Sequence, residues 1–418
     1  MYRMRIIQFI ILLAFSLNLN AQDWEKRHHF AKSYFGISNY IVPNLTNGKF
    51  LDADGTIQEF KRNGFLSPAV NIGATHFWGY ADFYVSINTA DIKFGEDNLE
   101  NSIRLGTFTG LRIYPFPSQE NTIRPYIGYK FSPFRYRQTD LSSQDYKFTQ
   151  VKSAFDIGLG IQLPNFYFTL EYSRIANPSF DTYLSRTVAS IDQFPTQLFQ
   201  IGLNYTIETT NTADTEVNRK LNKLFSGTNK YGFFLAAGPS SAFPIISSNY
   251  VTDLYPFLDD KSFPIIFPDV AIGYHFTKLD LVTAFSFRPI NQRRKAYNFE
   301  QFISRNSMTL EVYKFFGDYH GFSPYIGVGL GYENLTLSIT DNQTEVTQFT
   351  ENQFSPSIVF GWDIRPSVKG DWWILRTNLR YSPFLTMEYQ DKNLSLQKLE
   401  FNFIQFVLYP QRMKMSKR

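Results

Sequence analysis

Hydrophobic and polar residues alternate one by one over most of this chain. In the stretch 155–163, Phe155, Ile157, Leu159, Ile161 and Leu163 fall on one face, and Asp156, Gly158, Gly160 and Gln162 on the other. Successive side chains of a strand point to opposite faces, so the pattern predicts a half-apolar strand. Leu163-Pro164-Asn165 then reads as a tight turn, after which Phe166, Phe168, Leu170 and Tyr172 alternate with Tyr167, Thr169, Glu171 and Ser173. The same reading gives eight strands in the first half, at about 30–42, 64–78, 80–92, 101–114, 123–137, 148–163, 166–175 and 197–208. Eight more follow at about 231–243, 265–276, 279–288, 307–316, 323–338, 352–364, 372–382 and 398–409. Helical periodicity is nearly absent; Glu216 to Phe225 carries the one short helical signal.

The connections alternate between long and short in both halves. The long ones, at 43–63, 176–196, 245–264 and 383–397, are polar and are expected on the cell surface. A globular sandwich has no reason to gather its long loops at one end, whereas a transmembrane barrel has short turns on one side and long loops on the other. Tilted strands of about 9–11 residues also match the hydrocarbon core. Backbone groups in lipid must be paired within the sheet, which therefore has to close. The expected fold is all-β, a transmembrane antiparallel up-and-down β-barrel with 16 strands in total.

Pro125-Tyr126-Ile127-Gly128 recurs as Pro324-Tyr325-Ile326-Gly327. Pro68-x-Val70-x-Ile72-Gly73 recurs as Pro268-x-Val270-x-Ile272-Gly273, His76-Phe77 as His275-Phe276, and Tyr172-Ser173 as Tyr381-Ser382, while Gly160 aligns with Gly361. The matches keep chain order at an offset near 200, which points to two homologous halves. The run Ser323-Pro-Tyr-Ile-Gly-Val-Gly-Leu-Gly-Tyr332 resembles the fifth strand of OmpA-like, eight-stranded outer-membrane β-barrels of Gram-negative bacteria. That resemblance implies a tandem duplication of one such domain and an outer-membrane location. It says little about activity, because the superfamily includes structural, adhesive, pore-forming and enzymatic members. The expected organisation is a signal peptide at 1–21, a first barrel repeat at 22–208, a polar periplasmic linker at 209–230, a second repeat at 231–410 and a basic tail at 411–418.

The signal peptide rests on Arg3 and Arg5 followed by the apolar run Ile6 to Phe15, too short to span a bilayer as a helix, with Ala21 before the expected cut. The mean hydropathy of −0.25 looks soluble, yet 43 Phe and 26 Tyr make the chain strongly aromatic. Alternation reconciles the two. Cys is absent, which removes disulfides, thiolate metal sites and Cys nucleophiles. The net charge of +4 is interspersed and gives no support to nucleic-acid binding.

Eight strands enclose an interior filled by side chains, whereas sixteen leave a channel. The inward faces mix Gly128, Gly158, Gly160, Gly327, Gly329 and Gly331 with Tyr84, Tyr114, Tyr136, Tyr167 and Tyr313, as a narrow tapering interior requires. Interior polar residues are expected at Asp82, Arg104, Arg112, Lys130, Asp156 and Glu171, and at Asp280, Arg288, Glu311, Asp363, Arg376 and Arg380. These would pair in a plugged barrel or line water in a channel. The long linker favours two barrels; one sixteen-strand barrel is the alternative.

His76, His275, Trp78, Trp362 and Trp373 are expected as interface anchors in an aromatic belt. His28 and His29 read as a solvated start. Asp52-Ala-Asp54-Gly55 resembles the start of a calcium loop but lacks the later ligands, so a plain turn is expected. No GxSxG, HExxH or P-loop occurs. Catalytic, metal and cofactor sites are therefore all expected to be absent. The leading expectation is a non-enzymatic outer-membrane protein with a structural or surface-interaction role. A porin-like channel for small solutes is second, and a lipid-modifying enzyme third. Membrane lipids, the outer-membrane assembly machinery and other outer-membrane proteins are the expected partners.

Overall fold

The computed structural model describes residues 31–416 except 44, 94–100, 140–143, 209–231, 247, 259–265, 277–278, 318–321, 366–371 and 390. The expected signal peptide, His28, His29 and the linker at 209–230 lie outside the described residues.

The first half contains β1 (Lys32–Val42), β2 (Phe65–His76), β3 (Ala81–Asn88), β4 (Asn101–Leu105), β5 (Phe108–Ile113), β6 (Thr122–Thr139), β7 (Asp145–Gln162), β8 (Phe166–Ile175) and β9 (Gln197–Glu208). Strands β4 and β5 share one position, because both pair with β6. All neighbours are antiparallel, from β1–β2 through β8–β9. Strand β9 then pairs back to β1, with Lys32 opposite Glu208 and Ile41 opposite Phe199. The result is a closed eight-stranded barrel with no free edge.

Further strands follow: β10 (Gly232–Pro244), β11 (Phe267–Phe276), β12 (Leu281–Ala296), β13 (Phe299–Phe315), β14 (Phe322–Asp341), β15 (Thr344–Ile364), β16 (Trp373–Tyr381) and β17 (Lys398–Leu408). Each pairs antiparallel with the next. Strand β17 pairs with β10, with Leu408 opposite Leu235 and Lys398 opposite Pro244.

The outward faces are apolar and exposed, as with Phe35, Ile37, Ile127, Phe155 and Ile157 in the first half and Leu310, Val328, Leu330 and Ile358 in the second. The inward faces carry aromatic rings over glycines. A Cβ on Gly73 would lie 2.5 Å from the Tyr34 ring, and one on Gly273 would lie 2.4 Å from the Phe234 ring. Both pairs face each other in register, Tyr34 with Gly73 and Phe234 with Gly273. The recurring Pro-Tyr-Ile-Gly behaves likewise. Tyr126 lies opposite Gly158 and Tyr325 opposite Gly361, so the structural counterpart of Gly361 is Gly158, not Gly160.

Several strands run past the length a bilayer needs. Strands β14 and β15 have 20 and 21 residues, against about 10 for a spanning strand. Residues 289–306, expected as a connection, are strand apart from the turn Tyr297-Asn298. Its φ values are 50° and 62°, and those of Asn342-Gln343 between β14 and β15 are 47° and 67°. Positive φ at both central residues is the tight hairpin geometry that fits strand twist. The expected long loops hold small elements of their own: hairpins Gly48–Leu51/Ile57–Phe60, Ser179–Tyr183/Ala189–Gln193 and Thr386–Tyr389/Lys392–Ser395, and helix α1 (Asn249–Leu254). The expected basic tail begins as helix α2 (Pro410–Ser416). Its Arg412 is buried over the Tyr409 ring and touches His275 Nδ1 at 3.0 Å. None of the described helices is long and apolar enough to cross a membrane.

Two side chains of nearly equal exposure test whether the β7 wall faces lipid. Ile157 on β7 is 60% exposed and Ile191 on an outer hairpin is 62% exposed. Ile157→Arg should cost about 2–4 kcal/mol in a bilayer, and Ile191→Arg close to nothing. Folded yield on unheated gels measures this; equal yields would mean that the β7 wall does not face lipid.

Candidate functional site

Inward-pointing charges gather into networks that cross each enclosed space. In the first half, Arg112 on β5 donates from Nε to Glu171 (2.9 Å), from Nη1 to Asp82 (3.1 Å) and from Nη2 to Gln200 (3.1 Å). Lys130 Nζ reaches Glu171 at 2.6 Å and Asp156 at 3.2 Å. Tyr34 donates to Asp82 (2.7 Å) and Tyr126 to Glu171 (2.9 Å), while Arg112 lies 3.8 Å from the Tyr84 ring centre. The groups come from strands on opposite walls, so the network bridges the lumen.

The second half is organised in the same way with different residues. Arg288 contacts Glu311 and Glu400, both at 3.2 Å. Arg305 binds Glu333 (2.7 Å) and Glu400 (2.6 Å). Arg380 contacts Glu311, Glu400 (3.3 Å) and Asp269 (3.8 Å). Nearer the short-turn end, Arg376 grips Asp363 with two bonds of 2.7 and 2.9 Å. All of these side chains are buried.

Ten of the twelve residues expected inside are buried inward: Asp82, Arg112, Lys130, Asp156, Glu171, Arg288, Glu311, Asp363, Arg376 and Arg380. Two are not. Arg104 points outward, its side chain 57% exposed and 3.8 Å from Asp91. The interruption between β4 and β5 at Gly106-Thr107 shifts the alternation, as a bulge does, so parity counted from Arg112 fails there. Asp280 sits in the turn before β12 at φ 48°, exposed. Asp269, Arg305, Glu333 and Glu400 were missed. Strand parity counted from their neighbours would find Asp269, Glu333 and Glu400, whereas Arg305 falls in a stretch read as a connection.

The expected anchors divide. Trp373 stacks on Phe406 at 5.7 Å and Trp362 is half-buried beside Phe83 at 5.8 Å. Trp78 occupies the turn between β2 and β3 at φ 57°. His76 shares the outward parity of Ile72 and Ala74 and is only 3% exposed because the second set of strands covers it, whereas His275 lies inward and is 4% exposed. His76 packs on Phe83 (5.5 Å) and His275 on Phe315 (5.5 Å). His275 plugs the short-turn end of its strands from within, whereas His76 lines the contact between the two outer walls. Asp52 forms the plain turn, accepting from the N–H groups of Asp54 (3.0 Å) and Thr56 (2.8 Å).

At the loop end, the small hairpins close over the strands. Arg62 forms a buried bidentate pair with Asp192 at 2.8 and 2.5 Å, which locks hairpin 179–193 over hairpin 48–60. Beneath it Phe134, Tyr136, Phe148, Phe180 and Phe194 form one aromatic cluster. The two halves also meet here. Lys147 on β7 is in register with Lys295 on β12, and the Tyr146 and Tyr297 rings stack at 5.4 Å. Arg186 donates to Asp341 with bonds of 3.0 and 2.6 Å and to the Tyr297 carbonyl. The hydrogen bond from Arg186 holds the Asp341 carboxyl below its usual range, so the clasp is charged at neutral pH.

The strands and their pairing define the class: an all-β protein built on a closed eight-stranded antiparallel barrel, with further strands beyond it. No family model and no curated protein sequence matches the chain. Among solved structures it is similar to neisserial surface protein A, at 13% identity and TM-score 0.31 over 43% of this chain and 97% of that one. It is similar over the same shares to Ail, the attachment invasion locus protein of Yersinia pestis, solved with the heparin analogue sucrose octasulfate, at 11% identity and TM-score 0.28. An outer membrane channel from Pseudomonas putida F1 is matched over 90% of this chain and 94% of that one, at 8% identity and TM-score 0.22. Likeness at this level assigns no residue and no activity.

Removing one partner from a buried network leaves the others uncompensated. Arg112→Met should destabilise the protein by about 3–5 kcal/mol. Arg137→Met, which breaks the exposed 2.9 Å pair with Asp145, should cost less than about 1 kcal/mol. Urea unfolding of the detergent-solubilised protein compares them, and equal losses would contradict the bridging role of Arg112.

Proposed function

We propose that the chain is an integral outer-membrane protein made of two eight-stranded barrels in tandem, the product of an internal duplication. It conducts no solute and performs no chemistry, and its loop end is a cell-surface binding platform. The observation that carries this reading is the pair of charged networks crossing the enclosed spaces, with Arg112 and Glu171 at the centre of one and Arg288, Arg380 and Glu400 at the centre of the other. An eight-stranded interior is narrow enough for side chains to fill, whereas sixteen strands would leave open water between the walls.

Duplication is supported by the pairs Tyr34–Gly73 and Phe234–Gly273, and Tyr126–Gly158 and Tyr325–Gly361, which occupy matching positions in the two sets of strands. Membrane location is supported by the apolar outward walls and by the closure of the sheet, both of which lipid demands. The long-loop end faces outward from the cell, as in barrels that keep their short turns in the periplasm. A surface role is supported by the outer hairpins, which are tied down by Arg62–Asp192 and Arg186–Asp341 yet present Ile57, Ile191 and Val346 to solvent. A non-enzymatic role fits His76, covered where the two walls meet at the short-turn end, and His275, buried among aromatic rings inside, since neither reaches the loop end.

Purified full-length protein in planar bilayers should show no steady conductance and should leave labelled phospholipids intact. Stepwise conductance of a wide pore would overturn the plugged-barrel reading, and lipid turnover would overturn the non-enzymatic one.

A further inference from the structure

The two sets of strands touch along their outer walls. Phe77 meets Phe322 at 5.0 Å and Phe83 meets Trp362 at 5.8 Å near the short-turn end, and Phe131 meets Phe243 at 5.4 Å farther toward the loops. Between the walls lies a crevice of about 240 Å³. The first wall presents Ala74, Phe83 and Thr109 to it, and the second Leu375, Thr377 and Phe401. The Thr377 hydroxyl is already bonded to the Phe403 carbonyl at 2.9 Å.

We propose that this crevice is a binding site for one acyl chain of a bilayer phospholipid, held between the two barrels; the proposal rests on their side-by-side placement in the membrane. The lining is lipid-facing wall on both sides, at positions that are half-buried where the walls converge, such as Phe83, Val85, Leu375 and Phe401. Water needs two to four polar partners to occupy a cavity, and these walls offer few free ones. Direct wall-to-wall contact has no hydrophobic advantage in a bilayer, because lipid tails are as apolar as the side chains. A chain from the surrounding lipid therefore fills the gap that the small residues Ala74, Thr109 and Thr377 leave open. The site takes the tail and not the headgroup, since no charged side chain lines it.

The test uses the full chain reconstituted with phosphatidylethanolamine carrying a photoreactive diazirine in one acyl chain. The protein is extracted into probe-free detergent and only then irradiated, so that firmly held lipid alone reacts. Adducts should map to the peptides around Phe83 and Phe401 at several times their level around Ile37, which lies on an open wall. Ala74→Leu with Thr109→Leu fills the crevice and should lower those adducts several-fold; if the pair fails to fold, Thr109→Leu alone should lower them by a smaller factor. Adducts no more abundant than at Ile37, or unchanged in the filled variants, would overturn the site. In the Cys-free chain, Phe77→Cys with Phe322→Cys and a short bis-maleimide tests the placement. A cross-link without crevice adducts sinks the acyl site alone, and failure to cross-link sinks the side-by-side placement together with the site.

Discussion

Every backbone N–H and C=O in hydrocarbon must find its partner inside the sheet, because no water is there to take its place. In the membrane reading proposed above, that constraint decides the rest of this molecule. Strand β9 returns to β1 and β17 returns to β10, so neither set of strands leaves an edge facing lipid. A ring of eight is narrow, and what fills it is then a question of volume. Some of the large rings are accommodated because the opposite strand has no side chain there, as where Tyr34 faces Gly73 and Phe234 faces Gly273. A Cβ at Gly73 would also lie 2.6 Å from the Phe83 carbonyl oxygen and one at Gly273 2.4 Å from that of Thr283, so either substitution would force ring and backbone apart.

Charge enters under the same constraint. Lipid cannot hold Arg112 or Glu171, but the lumen can, provided each meets its opposite. The first network sets Arg112 and Lys130 against Asp82, Asp156 and Glu171, and the second sets Arg288, Arg305 and Arg380 against Asp269, Glu311, Glu333 and Glu400. Buried pairs of this kind are weak evidence for stability in themselves, since desolvation offsets much of the attraction. Their consequence here is geometric: side chains tied across the lumen hold opposite walls in register and occupy the space a solute would need.

The alternation of Phe155 to Leu163 is enough to read strand and facing, because its apolar and polar faces differ as sharply as they can. It failed where that contrast disappears. Strands β12 and β13 continue through Asn291, Gln292, Arg293 and Arg294 into a ribbon polar on both faces. Such a ribbon carries no hydrophobic period, and Arg305 was lost with it. Arg104 failed for a different reason, since one break at Gly106 reverses every inward and outward assignment before it. The reading fails at His275, because an aromatic neighbour signals an outer belt and an inner plug equally well, while His76 does lie on the outward face. The loop end is legible only as long polar connections; its hairpins and the Arg62–Asp192 lock depend on contacts remote in sequence.

The central claim is that β1 closes on β9 within the first half. Ile37 and Leu203 are register partners on the outward face of these strands, and the Cys-free chain allows both to be replaced. Ile37→Cys with Leu203→Cys should form a disulfide under mild oxidation in folded, membrane-inserted protein. If Ile37→Cys instead links only to a cysteine placed on Lys398–Leu408, for example at Phe406, the chain closes as one sixteen-strand ring and the two-barrel account is wrong.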